Sequence, residues 1–352
     1  MSNPSNFKNK KSFSQKIWTG GSIIALIVLL IIAFIESLHV FILILVGALI
    51  ACYFRGLGKF IEKKTGWSIN LSILTSFLGT VLILSGLFYL AGSTAVNQFS
   101  ELQEKFPEII EKSERFFSDT DVGKKFKTYL DKVESSDVVI SEIFKSTFGG
   151  IGDIFVIIVV GVYFTISPKI YLNGFVQLIP PKHRAQATYL IDEISVGLTR
   201  WLLGKFFAMG LIFVLTAIAL AIIGLPFWLA LALIAGLLVF VPNFGPIASA
   251  IPALLVALSI SVNMALLVGV LYLIIQLSEG SIITPNVQNR LVKIPPALII
   301  LAQIFAYILI GIWGLIFATP IAYILMITVK ELYILPMERK AKEEEQEDMS
   351  LS

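Results

Sequence analysis

The chain has 352 residues, 57% of them hydrophobic and 14% charged, with a formal net charge of +3 and a mean hydropathy of +0.87. A soluble domain of this length cannot hide so much apolar side chain behind a polar surface, and so small a charge without a basic face argues against nucleic acid as a partner. One cysteine, Cys52, and two histidines, His39 and His183, exclude an intramolecular disulfide and argue against a thiolate or imidazole metal centre.

Residues 17–35, 72–96 and 206–241 are nearly free of ionisable groups and match or exceed the roughly 20 residues that span a hydrocarbon core. In lipid every backbone N–H and C=O must be paired within the segment, so these runs read as helices. They lack the alternation of a membrane β-barrel. The fold expected is an all-α membrane protein whose partner is the lipid bilayer.

In chain order, Lys8, Lys10, Lys11 and Lys16 precede an apolar run. It is too long for a signal peptide and has no small-residue cleavage site, so it reads as a retained first span. Spans at 17–35 and 38–54 are joined through 36–39, and a basic loop with Arg55, Lys59, Lys63 and Lys64 follows. Residues 1–70 thus form a predicted hairpin and basic loop. A span at 71–96 leads into the polar stretch 97–147, and a span at 148–167 completes the 71–167 region. In the polar stretch Phe99, Leu102, Phe106, Ile109, Ile110, Phe116 and Phe117 recur at helical spacing. That face packs on itself or on the outer membrane surface, or else serves as an oligomer contact or a lid.

In 168–205 the stripe Leu190, Ile194, Leu198, Trp201 and Leu202 predicts an interfacial helix, with Asp192, Glu193, Arg200 and Lys205 off the stripe. Collecting the basic segments on the cytoplasmic side puts the N-terminus inside and 97–147 outside. Residues 336–352 form a charged cytoplasmic tail. Glu36 and Asp153, near span ends, are expected at the interfaces.

Residues 206–335 are interrupted by Gly224-Leu225-Pro226, Pro242-Asn243-Phe244-Gly245-Pro246, Pro252, Pro285, Pro295-Pro296, Gly311 and Pro320. Each proline removes a donor and frees carbonyls. At membrane depth such breaks persist only where protein or water satisfies the freed groups, an arrangement that transporters use to bind permeants. The alternative is that the prolines only end helices at the interfaces. The candidate pathway comprises Pro242, Asn243, Gly245 and Pro246, then Gln276, Glu279, Thr284 and Pro285, and then Gln303. Gln276 and Glu279 share a helix face, and an intramembrane carboxylate is a functional candidate by default. Otherwise Glu279 sits at the interface and pairs with Arg290 or Lys293. Residues 247–277 form one tilted span or a re-entrant pair.

These motifs, with Leu301-Ala302-Gln303, Gly314 and Ala318-Thr319-Pro320, resemble the autoinducer-2 exporter family of permease-like bacterial membrane proteins. The resemblance implies about eight transmembrane helices in a bacterial inner membrane, with the N- and C-termini inside, assembled as a homo-oligomer that moves a small solute or ion. Within that family some members look like autoinducer-2 exporters and others are described as cation/proton antiporters. Ser281 departs from the family, where many relatives carry Asn. No Walker A motif occurs, and no residue set for an intramembrane hydrolase is present, so neither a cofactor nor an enzymatic activity is expected. A Na+/H+ antiporter-type protein and an oligomeric channel-like protein are the alternatives.

Overall fold

The computed structural model describes residues 13–115, 151–283 and 295–351. The helices are α1 Phe13–Thr65, α2 Ile69–Leu87, α3 Ser93–Arg115, α4 Ile151–Ile166, α5 Pro168–Gln177, α6 Arg184–Ile222, α7 Trp228–Leu238, α8 Phe244–Leu258, α9 Val262–Ser278, α10 Pro296–Ile310, α11 Ile312–Val329 and α12 Leu335–Leu351. Single π-turns at Phe88–Gly92, Glu279–Ile283 and Lys330–Ile334 join or extend neighbouring helices. Among the described residues five helices are long and apolar enough to cross a bilayer, or six if Gly152–Ile166 and Pro168–Gln177, bent by 90°, count as one span. Trp228–Leu238, Phe244–Leu258 and Pro296–Ile310 are apolar but shorter. The all-α membrane architecture stands, while the described residues do not confirm the expected count of eight spans.

Two predicted boundaries differ. The break at 36–39 is absent, because α1 is one helix of 53 residues. Glu36, Ser37, Leu38 and His39 include neither Pro nor Gly, so their polarity alone does not interrupt helical hydrogen bonding. The turn on which a cytoplasmic N-terminus depended is thus missing. Residues 168–205 do not form one surface helix: α5 ends at Gln177, and α6 runs unbroken from Arg184 to Ile222.

Small residues let the long helices approach closely. Gly47 lies against Val160 and Gly161 against Ile50, so α1 and α4 run side by side in parallel. His39 Nε2 lies 3.0 Å from Asp153 Oδ2 at one end of that pair, and Arg55 donates to the Thr165 carbonyl at 2.8 Å at the other. Antiparallel α2 returns along α1 after Gly66 (φ 74°), with Ser76 Oγ donating to the Phe54 carbonyl at 3.1 Å. Lys59, Lys63 and Lys64 lie in the last turns of α1, Lys169 lies in the first turn of α5 after the bend from α4, and Lys182 and Arg184 lie between α5 and α6 and at the start of α6. These residues gather at what is termed the basic end.

The amphipathic face predicted in the polar insert exists in α3, and part of it packs on the apolar ends of other helices. Leu102 and Ile109 are buried with Leu220, Leu225, Phe227, Leu231, Leu255 and Val256 in one core cluster. The α3 helix therefore straps the end of the molecule opposite the basic end. The remaining insert residues, Phe116 and Phe117 among them, lie outside the described residues.

Candidate functional site

Helix α6 ends at Gly224 (φ 70°), where Leu225 N–H donates to the Leu220 carbonyl at 3.0 Å. This is a glycine-terminated helix stop. The Gly224-Leu225-Pro226 break thus follows the alternative reading, in which proline and glycine merely end a helix. The next break does not. At 1.5 Å per residue α7 and α8 extend about 16 and 22 Å, short of the roughly 30 Å hydrocarbon core. Leu225 and Phe227, just before α7, and Val256 and Ala257, at the end of α8, share the cluster beneath α3. Both outer ends of the pair therefore lie at α3, and the pair turns back at residues 239–243.

At this tip Asn243 adopts φ 64°, ψ −50°, and Phe244 N–H donates to the Pro242 carbonyl at 2.7 Å. Such values define the rare, strained γ-turn, and a non-glycine residue in this region is held only by its surroundings. Gly245 permits the closure, since a Cβ there would overlap the Leu238 carbonyl oxygen on the other arm. Pro246 falls in the first turn of α8, where its missing N–H costs no helical bond.

A second hairpin enters from the opposite direction. Helices α10 and α11 turn at Gly311 (φ 65°, ψ −144°), a conformation open essentially to glycine alone. Gly314 lies against the Ala306 carbonyl oxygen. Farther along α11, Tyr323 fills the space beside Gly197, and the Glu331 carbonyl accepts from Gln186 at 3.2 Å. This hairpin opens toward the basic end.

The two hairpins meet at Gln303. Its side chain is fully buried; Nε2 donates to the Pro242 carbonyl at 2.8 Å, and Oε1 accepts from Asn243 Nδ2 at 3.5 Å. Phe240 of the first tip sits between Trp201 of α6 (ring centroids 5.7 Å apart) and Phe317 of α11 (6.0 Å). Trp201 Nε1, Tyr272 Oη and Thr319 Oγ1 are buried without a hydrogen-bond partner among the described residues. Polar atoms in that condition call for an explanation.

Gln276 and Glu279 form a separate group. The alternatives for 247–277 resolve into the second arm of a hairpin, α8, a turn, and a full-length helix, α9, capped by Ser261 Oγ on Met264 N–H at 3.1 Å. Gln276 lies within hydrogen-bonding reach of the Glu279 carboxylate. Glu279 is buried, and among the described residues the charged group facing it is Lys205 of α6, also buried. Lys205 lies on the apolar stripe rather than off it. The spacing from Leu198 through Trp201 to Lys205 and Ala208 contained that signal, which its charge obscured. Thr284, Pro285, Arg290 and Lys293 lie outside the described residues. No described hydrogen bond joins the Asn243–Gln303 group to the Gln276–Glu279 group.

Two cavities lie elsewhere. One groove, of about 1050 Å3, follows Leu84, Phe88, Tyr89 and Val96 along the π-turn before α3. The other, of about 190 Å3, lies beneath α3 between Lys105, Lys112, Phe227 and Ser259. Among the described residues no cluster of His, Cys, Asp and Glu suited to a metal ion occurs.

Comparison with known proteins places this chain among relatives. The family described as "AI-2E family transporter" matches residues 23–334. "Putative transport protein YrrI" of Bacillus subtilis (strain 168) is 33% identical over 150 residues, 43% of this chain and 42% of that relative. "Putative transport protein YueF" of the same organism is 24% identical over 311 residues, 82% of this chain and 83% of that relative. The match thus spans less than half the length of the first relative and most of the second.

Proposed function

The chain belongs to the AI-2E transporter family, and from that premise we propose that it carries a small solute or ion across a bacterial inner membrane by parting and rejoining two opposed hairpins. It is a multi-pass membrane protein. The observation that carries the reading is the bond from Gln303 to the Pro242 carbonyl at the strained tip. A backbone acceptor exposed by a break in a helix is the group that transporters offer to a permeant. Here it is held by a side-chain amide that water or solute can replace at a modest net cost of about 1 kcal/mol. Pro242, Asn243, Gly245, Pro246 and Gln303 line the gate in this proposal. Gln276, Glu279, Thr284 and Pro285 belong to a second part of the pathway, in which Glu279 ligates or titrates with the coupling ion.

Cytoplasmic placement is proposed for the basic end, since Lys and Arg gather there, and for α12, which leaves from it. The test is flux into proteoliposomes across a panel of candidate solutes, with and without a sodium or proton gradient. Saturable, gradient-driven accumulation is expected. Conductance that does not saturate overturns the carrier mechanism in favour of a channel. Glu279→Gln is expected to abolish coupled flux in a protein that still inserts, and wild-type flux in that variant removes Glu279 from the mechanism.

A further inference from the structure

A second buried charge faces Glu279, and the carrier reading leaves it unused. Lys205 and Glu279 are each only 7% exposed, although an ionised side chain inside a membrane protein is costly unless paired or hydrated. Lys205 continues the buried stripe of Trp201, Ala208 and Ile212 on α6, which packs against α9 and against the π-turn that begins at Glu279. The groups facing the carboxylate are Gln276 from α9 and Lys205 from α6. Two turns back on the same face of α9 stands Tyr272, whose hydroxyl has no partner among the described residues. The charges of Lys205 and Glu279 interact, yet among the described residues no N···O contact within 4.0 Å joins them.

This is an arrangement of proximity without contact. A direct buried ion pair satisfies both charges and resists separation, whereas breaking one by removing a partner costs about 3–5 kcal/mol. An ammonium on a flexible four-carbon stem needs only rotamer changes to approach or leave a carboxylate. We propose that Lys205 is a tethered cation that competes with a free monovalent cation or proton for the Glu279 carboxylate. When the ion arrives the ammonium withdraws, and when the ion leaves the ammonium takes its place. The carboxylate is then never left both charged and alone, and the cost of releasing the ion falls. The proposal rests on the reading of Glu279 as an ion-handling group and adds to it the residue that makes release possible.

The test uses the full chain in proteoliposomes and reads the modification of Glu279 by a hydrophobic carbodiimide, which reacts with protonated carboxyl groups, by mass spectrometry at neutral pH. Removing a positive charge coupled by one pKa unit changes the protonated fraction about tenfold, so Lys205→Met should label about tenfold faster than wild type. Lys205→Arg, Arg290→Gln and Lys293→Gln should label like wild type. Added sodium or lithium should slow labelling at lower concentration in Lys205→Met, because the internal competitor is gone. Equal labelling in wild type and Lys205→Met overturns the proposal. So does an increase produced by Arg290→Gln or Lys293→Gln instead, or cation protection that Lys205→Met leaves unchanged. Should Lys205→Met fail to accumulate, the double variant Lys205→Met/Glu279→Gln, which buries neither charge, should restore expression; failure to restore it also overturns the pairing. The carrier reading fails separately, through wild-type flux in Glu279→Gln, whatever the labelling shows.

Discussion

Gly245→Ala is the sharpest test of the hairpin tip. The added methyl group would overlap the Leu238 carbonyl oxygen and come within 3.2 Å of Val239 N. The obstacle is backbone, so no rotamer change relieves it, and the arms of α7 and α8 must separate. Overpacking of this kind costs about 1–3 kcal/mol even where side chains can give way. Asn243 already holds a conformation that costs about 1–3 kcal/mol, against roughly 1 kcal/mol net from the Gln303 bond. The substitution therefore exceeds what holds the tip closed. Gly210→Ala is the matched control: it lies inside α6, where a Cβ meets nothing within 4 Å, and replacing a helical glycine stabilises by about 0.5–1 kcal/mol. The assay is a thermal scan of the purified protein in detergent together with flux in proteoliposomes. Gly245→Ala should lower the melting midpoint by several degrees and sharply reduce flux, while Gly210→Ala leaves flux intact and the midpoint level or higher. Indistinguishable behaviour of the two variants refutes the tip geometry.

Three further outcomes are expected. Gln303→Leu removes both side-chain bonds to the first hairpin at a cost of about 1–3 kcal/mol; flux should fall several-fold at normal expression, and unchanged flux removes the amide from the gate. Gln98→Ala uncaps α7, whose Leu229 and Ala230 N–H groups donate to Gln98 Oε1 at 2.9 and 3.2 Å; losing about 0.5–2 kcal/mol of capping should speed hydrogen exchange in the first turn of α7, and unaltered exchange refutes the strap. Lys112 holds the Glu108 carboxyl below its ordinary value, so that pair supports α3 above the unfolded carboxylate pKa and loses its contribution as pH falls through the lowered value. Because the pair is exposed, Glu108→Gln should matter little at neutral pH and less in high salt; a large salt-independent loss of melting midpoint contradicts that.

The sequence revealed the class of fold and the location of the tips, because proline and glycine act locally. Pro242 and Gly311 fall at helix ends, and the short apolar pieces beside them were countable, whereas Pro252 and Pro320, also read as interruptions, lie inside α8 and α11. It did not reveal which interruptions merely end a helix and which turn a hairpin back inside the molecule. Pro226 and Pro242 look alike in the chain, yet one follows a helix stop at the strapped end and the other sits at the strained tip. Nor did it separate polarity from chain reversal: 36–39 is polar but helical. Lys205 was missed for the opposite reason, since a charge on an apolar stripe reads as an exposed exception until the facing helix supplies Glu279. Proximity across 74 positions is tertiary information, and helical periodicity contains none of it.

The anchoring of each hairpin indicates where motion is least costly. The first is held at its outer end by α3, through Gln98 on α7 and through Ser113 Oγ, which donates to the Leu255 carbonyl at 3.2 Å. The second is held at the basic end by Tyr323 beside Gly197 and by Gln186 on the Glu331 carbonyl. Displacing either base would expose buried apolar side chains, at about 25 cal/mol for each Å2 uncovered. The tips are joined more lightly, by the Gln303 amide and by Phe240 between Trp201 and Phe317. The amide bond is one a polar solute can substitute, and the strain at Asn243 favours its release. In the proposed mechanism, opening therefore starts between the tips, with the bases as fixed points. A disulfide joining cysteines at positions 243 and 303, in a chain where Cys52 is replaced by Ala, should stop flux until reduced. A disulfide between α3 and the outer end of α8 should leave it running. Flux that survives the first and is lost with the second would place the moving part at the strap instead.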